Sequence, residues 1–293
     1  VDNWEWHGLV SDGELHDVLA GAEIAISNKV VLTAEHFSRA EHLKLVCIAA
    51  TGTNNVDLEA AERHSIAVCN VGGYATRSVV QQVFTLLLVL TTGFNEYSAA
   101  VKRGDWSRSK FFCLLDYPIR ELAGKTIGIV GYGHLGKAVA NIAEAFGMKV
   151  LLAKRDSGDS RPGRIALQDL LPQVDVLSLH CPLTEQTRGM IAANELALMK
   201  KDAVLINTAR GGLVDEAALL DALEKHRIGG AGLDVLEIEP PPAGYPLLMA
   251  DLPNLVITPH TAWASIESRQ RLVDEIAWNI EAFKAGQIRN RVV

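Results

Sequence analysis

The sequence predicts an α/β fold, organised as two doubly wound domains with parallel sheets, and three observations carry that reading. Short apolar runs of strand type alternate with helical runs along almost the whole chain, the pattern of repeated βαβ units. One such run, Ile127 to Val130, leads directly into Gly131-Tyr-Gly133-His-Leu-Gly136, and Lys137 to Phe146 then has helical spacing. Five further strand-like runs follow, so the glycine-led strand opens a set of six, the count for a complete doubly wound sheet. A length of 293 residues, 48% of them hydrophobic, is enough for two cores.

Taken in order, residues 13–20 predict a helix, 23–27 a strand, 34–39 a helix and 45–50 a buried strand. Residues 58–63 predict a helix and 67–69 a short strand. One long helix is expected over 78–102, carrying the chain out of the first domain. Residues 103–125, with Gly104, Trp106, Pro118 and Gly124, read as an irregular crossover. After the glycine turn, strands are expected at 149–153, 174–179, 203–207, 230–235 and 255–257. Helices are expected at 138–146, 167–171, 194–199 and 215–225. Leu272, Ile276, Ile280 and Phe283 recur at helical spacing in 264–286, and residues 288–293 are expected to return to the first domain. The first domain is then discontinuous, 1–97 with 268–293, around a second domain at 98–267.

The glycines in strand–turn–helix context point to a dinucleotide. Gly131 permits the tight turn, Gly133 admits a pyrophosphate close to the backbone, and Gly136 lets helix and strand pack closely. The helix N-terminus adds unpaired N–H groups. The acidic residue that usually holds the adenosine ribose, about 20 residues on at the end of the second strand, is replaced here by Lys154 and Arg155. Neither accepts a hydrogen bond and both attract a 2′-phosphate, so NADP is expected in preference to NAD. Asp156, the nearby acid, lies two positions late unless the turn bulges.

The net charge is −7, from 28 basic and 35 acidic residues, which argues against nucleic acid or an anionic membrane as partner. No stretch reaches the roughly 18 apolar residues of a membrane helix. Cys47, Cys69, Cys113 and Cys181 form no CxxC pair and no zinc spacing, so no metal site is expected; buried free thiols and a cytoplasmic location are. The chain starts at Val1 without Met, and a preceding piece is expected.

Ligands of such sheets sit beyond the C-terminal strand ends. That rule singles out His180, Asn207 to Arg210, Asp234 to Glu239 and His260. An Arg between small residues at a strand end can hold a carboxylate bidentately. A His beside a carboxylate is an acid–base pair, the anion favouring the cationic ring and fixing its orientation. Spacing alone does not separate such a pair from a structural His.

At these residues the sequence resembles the D-2-hydroxyacid dehydrogenase family. The matches are Gly131 to Gly136, His180-Cys-Pro-Leu-Thr184 with Thr187, Asn207-Thr-Ala-Arg-Gly-Gly-Leu-Val-Asp215, Gly232-Leu-Asp-Val235 with Glu239-Pro240, and Pro259-His260, in the family's order across residues 45–293. The resemblance implies a Rossmann-type cofactor domain and a smaller flavodoxin-like substrate domain that close on their ligands. It implies that Arg210 binds the carboxylate and keto oxygen of a small 2-keto acid. His260 becomes the proton donor and acceptor, and Glu239, the residue directly before Pro240, its partner in place of Glu237. Substrate contacts fall on Thr51 and Gly52 as well as Arg210 and His260. Cofactor contacts fall on Val79, His134, Leu135, Cys181, Pro182, Thr187, Thr208 and Asp234, the last toward the nicotinamide carboxamide. The 78–102 region resembles the family's dimerisation element, so a homodimer is expected. Residues 112–131 and Thr261-Ala-Trp263 look most like the glycerate dehydrogenase, or hydroxypyruvate reductase, branch. Gly72 and Gln81 depart from the usual Pro and Glu, and the family's first strand and helix have no counterpart before Val1. Two other readings stay open: a dinucleotide-sensing protein of corepressor type, and a formate- or phosphite-type dehydrogenase on the same fold.

Overall fold

A computed structural model describes residues 3–156 and 158–293. In chain order the first elements are α1 (Asp12–Ala20), β1 (Ile24–Ser27), α2 (Ala34–Arg39), β2 (Leu45–Ile48), α3 (Leu58–Arg63) and β3 (Ala67–Cys69). Then come α4 (Thr76–Thr92), α5 (Phe94–Lys102), α6 (Asp105–Arg108), β4 (Thr126–Val130), α7 (His134–Ala145), β5 (Lys149–Ala153), β6 (Arg164–Ile165), α8 (Leu167–Leu170) and β7 (Val176–Leu179). The chain continues through α9 (Ala193–Leu198), β8 (Val204–Asn207), α10 (Glu216–Glu224), β9 (Gly230–Leu233), α11 (Pro246–Met249), β10 (Leu255–Ile257) and α12 (Ile266–Lys284).

The chain divides into two compact units, residues 1–74 with 266–293, and residues 75–265. In the first, β1, β2 and β3 form a parallel sheet in chain order. Every residue of β2 and β3 is buried, as expected of parallel strands covered on both faces. Val46 and Ile48 join Leu15, Leu19 and Phe37 in a core under α1–α3, while Leu272, Ile276 and Ile280 of α12 are also buried. The C-terminal residues return to this sheet: Val292 N–H donates to Val68 O at 2.8 Å, and Val68 N–H to Val293 O at 3.0 Å.

The second unit holds a seven-stranded sheet in the order β10-β9-β8-β7-β4-β5-β6, all pairs parallel. The order reverses between β4 and β7, the place where such sheets open a crevice at their C-terminal edge. Seven strands stand where six were expected. The additional one, β6, has only Arg164 and Ile165, too short to leave a periodic signal.

Two further expectations are corrected. The helix expected over 78–102 is two helices, bent by 61°. Gly93, at φ +61°, ends α4 in the left-handed region, and a Cβ there would sit 3.3 Å from Tyr117 Cβ. The unit boundary lies at 74/75 and 265/266, not at 97/98 and 267/268. Val83, Phe84, Leu86 and Leu87 of α4 are buried with Ile127, Ile129 and Ile206 of the large sheet, so α4 belongs to that core. Among the described residues no single helix is long and apolar enough to cross a membrane.

Candidate active site

The glycine turn lies at the strand-order reversal. Gly131 has φ +93°, and a Cβ on it would meet Cys181 N and His180 C at 2.6 Å. A Cβ on Gly136 would lie 2.2 Å from Gly131 O, so only glycine lets α7 start this close to β4. A Cβ on Gly133 would meet nothing within 4 Å, which leaves its outer side open to a ligand. Gly133 caps α7 without a side-chain hydrogen bond, and His134 begins the helix. The helix therefore starts earlier than position 138 and brings His134 and Leu135 to the turn.

Beside this turn, His180 follows β7. Its imidazole lies 2.9 Å from Ser178 Oγ, its buried Nδ1 has no protein partner, and burial pushes it down to about 4. Thr208 Oγ1, after β8, is likewise buried without a protein partner. The Cys181 thiol, pushed up to about 11 by burial, donates to Met190 Sδ. Thr187 holds its own loop, accepting from Thr184 N–H at 2.8 Å and donating to Pro182 O at 2.8 Å. Val79 is buried on α4. All four cysteines carry free thiols, Cys47 and Cys69 buried, Cys113 and Cys181 only half-buried. Among the described residues no group of three His, Cys, Asp or Glu side chains is placed to hold a metal ion.

The ends of β8, β9 and β10 build the second part of the site. Asn207, 1% exposed, donates to Arg210 O at 2.8 Å and accepts from Ala209 N–H at 3.0 Å. This tight turn presents Arg210, whose Nη1 donates to Ala209 O at 2.7 Å. Gly211 then passes against the next strand's loop. A Cβ there would lie 1.9 Å from Leu236 C and 2.3 Å from Glu237 N. Gly211→Ala must therefore move backbone, and a displacement near 1 Å costs catalysis on the order of 100-fold. We expect a loss of that size in kcat/KM with cofactor affinity retained; steady-state kinetics beside a cofactor titration would check it.

After β10 the chain turns sharply at His260, φ +53°. Asp234, 1% exposed, fixes this turn. Its Oδ1 accepts from Thr258 Oγ1 at 2.5 Å and Thr261 N–H at 3.0 Å, and its Oδ2 from Ala262 N–H at 2.8 Å. Gln82 on α4 adds a hydrogen bond to Thr258 Oγ1 at 3.0 Å. His260 Nδ1 lies 2.6 Å from Glu239 Oε2, and Glu239 Oε1 accepts from Leu236 N–H at 2.9 Å. An ionised carboxylate only accepts, which assigns the hydrogen of the pair to Nδ1 and leaves Nε2 outside it. Glu237 pairs instead with Arg188, at 3.7 Å. Arg210, Glu239 and His260, with Leu183, Gly211 and Leu236, line one pocket of about 220 Å³. Thr51 and Gly52 belong to the other unit, where Thr51 Oγ1 donates to Val71 O at 2.8 Å.

Lys154 and Arg155 follow β5 as expected, Lys154 half-buried and Arg155 exposed. Asp156 Oδ1 is taken by Gly158 N–H at 2.9 Å. Sequence reasoning passed over the neighbouring pair. Asp159 accepts from Arg155 N–H and, through both oxygens, from Arg161, which holds its carboxyl well below the usual range. Arg164 of β6 stacks over the Tyr132 ring of the glycine turn, 5.1 Å from its centroid.

Residues 84–262 match the NAD-binding domain of the D-isomer specific 2-hydroxyacid dehydrogenases. The chain belongs to that family. It is an NAD(P)-type oxidoreductase of the 2-hydroxyacid dehydrogenase class, and its large unit is a nicotinamide dinucleotide domain. A glycerate dehydrogenase of Methylorubrum extorquens is 49% identical over 288 residues, 98% of this chain and 91% of that protein. A hydroxypyruvate reductase of Blautia hydrogenotrophica is 37% identical over 98% of this chain and 94% of its own length. Among solved structures, an acyclic imino acid reductase in complex with NADPH and D-Arg superposes with a TM-score of 0.87 at 31% identity, covering 98% of this chain and 91% of that one. The similarity to the glycerate dehydrogenase and hydroxypyruvate reductase agrees with the branch that the sequence resembles.

Proposed function

We propose that this dehydrogenase reduces a small 2-keto acid, of the hydroxypyruvate or glyoxylate kind, with NADPH. The observation that carries the reaction is the His260–Glu239 pair at 2.6 Å in the pocket that also receives Arg210. The dinucleotide fits the residues present: an open Gly133, an uncapped helix start, and the buried, unpartnered Thr208 Oγ1 and His180 Nδ1 lie on the loops around one turn. Gly131, Gly133, Gly136, His134 and Leu135 would hold its phosphates. Val79, Cys181, Pro182, Thr187 and Thr208 would line it. Asp234 Oδ2, with a single donor, keeps a lone pair for the carboxamide. When bound, the reduced nicotinamide supplies the hydride that reaches the keto carbon.

The chain's own groups do the rest. Arg210 holds the substrate's carboxylate and stabilises the negative charge that grows on the keto oxygen. Protonated His260 gives its Nε2 proton to that oxygen, and Glu239 keeps the ring oriented. In the oxidative direction the same nitrogen takes the proton back.

NADPH is preferred because Lys154 and Arg155 offer cations where a ribose-binding acid usually stands, while Asp156 and Asp159 are committed to local hydrogen bonds. The solved imino acid reductase with NADPH supports the same cofactor on a similar chain. The protein acts as a homodimer through α5, α6 and the segment that follows them, where Phe94, Val101, Trp106, Phe111, Phe112 and Leu115 are exposed. A panel of 2-keto acids with NADPH and NADH tests these points together. Charge-assisted hydrogen bonds to a 2′-phosphate favour NADPH by about 10- to 100-fold in kcat/KM. Lys154→Glu should reverse much of that preference, and rising salt should shrink it. Higher efficiency with NADH in the unaltered protein would overturn the cofactor assignment, and no turnover of any keto acid would favour a purely dinucleotide-binding role.

A further inference from the structure

The loop that carries Glu239 is held at both ends by one carboxylate that sequence reasoning did not mark. Glu216 is the first residue of α10, directly after the N-cap Asp215, whose side chain accepts from Ala218 N–H at 3.0 Å. A carboxylate is favoured at that helix end. Glu216 Oε1 accepts from Glu237 N–H at 2.7 Å, and its Oε2 from Tyr245 Oη at 2.5 Å. Those two donors bracket residues 237–245, with Glu239 between them. The Tyr245 ring is 8% exposed and packed in the core, and burial together with Glu216 pushes its hydroxyl up to about 12. The first donor belongs to the Leu236–Glu237 peptide, the one on which Gly211 rests. Glu216 therefore joins three things: the end of α10, the Arg210 loop and the Glu239 loop.

We propose that Glu216 is a positioning residue for the proton-transfer pair, acting as a clamp that sets Glu239 against His260. It touches no reacting atom. Its action is to hold the peptide from which Glu239 hangs, because a carboxylate 2.6 Å from an imidazole nitrogen loses that contact with a shift of about 1 Å. The inference rests on the assignment of Glu239 and His260 as the acid–base pair. Its test is a pH profile of kcat for keto-acid reduction, with Glu239→Gln measured alongside.

Glu239→Gln takes away the anion that faces His260 at 2.6 Å and supplies the reference change, an alkaline limb of the profile displaced to lower pH. If Glu216 is the clamp, Glu216→Ala moves the limb the same way and lowers kcat about 10- to 100-fold, with NADPH affinity unchanged. Glu216→Gln keeps an acceptor for Glu237 N–H and restores most of the rate. Tyr245→Phe keeps the core ring, releases one end of the loop, and shifts the profile part of the way. Should Glu216→Ala fail to fold, Tyr245→Phe decides. An unmoved profile in the folded Glu216 or Tyr245 variants, alongside a moved one in Glu239→Gln, overturns the clamp. An unmoved profile in Glu239→Gln overturns the acid–base pair itself, and the clamp falls with it.

Discussion

His260→Ala should lower keto-acid turnover about 10²- to 10⁴-fold, the usual contribution of a positioned general acid. That range corresponds to about 3–5 kcal/mol of transition-state stabilisation. The effect belongs in kcat, because His260 sits in the Arg210 pocket and not on the glycine turn, so cofactor affinity should be retained. Alanine also removes the group that Glu239 faces at 2.6 Å, leaving a half-buried carboxylate without its imidazole. The variant should therefore not be rescued by removing Glu239 as well: the two side chains act as a unit and their losses are not additive. Stopped-flow turnover of hydroxypyruvate beside a fluorescence titration of NADPH separates the two quantities. An undiminished rate in His260→Ala would assign the proton to another group.

Arg210→Lys is the second large effect. The substitution keeps the charge and loses the planar fork. One arm of Arg210 is already spent on Ala209 O at 2.7 Å, which fixes the plane of the guanidinium and aims its remaining donors. Lysine cannot make that contact and reach a carboxylate with two parallel N–H groups at once. Loss of a donor to a developing oxyanion costs about 10²- to 10³-fold in kcat, and loss of the bidentate carboxylate grip raises KM in addition. Both constants should move, for every 2-keto acid tested. Unchanged kinetics would show that the carboxylate is held elsewhere.

The geometry also explains why these residues are so far apart in sequence and so close in space. Arg210, Glu239 and His260 follow three neighbouring strands, β8, β9 and β10, and parallel pairing puts the ends of all three on one edge. The loops are then tied to one another at backbone level. Gly211 rests on the Leu236–Glu237 peptide, and His260 N–H donates to Asp234 O at 2.8 Å. A site fixed in this way is rigid because its frame is the sheet, which suits a reaction that depends on orientation.

The sequence by itself determined the α/β class, the glycine turn and the strand ends at which ligands gather, while Arg210, Glu239 and His260 were singled out by motifs that resemble a family's. The first three are local signals: an apolar run between turn residues, a glycine spacing in strand–turn–helix context, and the end of a predicted strand. It also placed Lys154 and Arg155, because they lie a fixed distance along the chain from that turn. Only the tertiary structure decided the break at Gly93, the two-residue strand β6, and the allegiance of α4 to the large sheet. A helix pattern runs through a glycine unless packing bends it, a two-residue strand exists only through its neighbour, and an apolar helix face does not say which sheet it covers. The same holds at the site. Spacing alone does not separate Glu239 from Glu237, which only the resemblance at Pro240 distinguished, and the loop places Glu239 2.6 Å from His260 and Glu237 3.7 Å from Arg188. Glu216 reads as an ordinary acid at a helix start, and its hydrogen bonds to Glu237 and Tyr245, 21 and 29 residues away, exist only because β8, β9 and α10 meet in one unit.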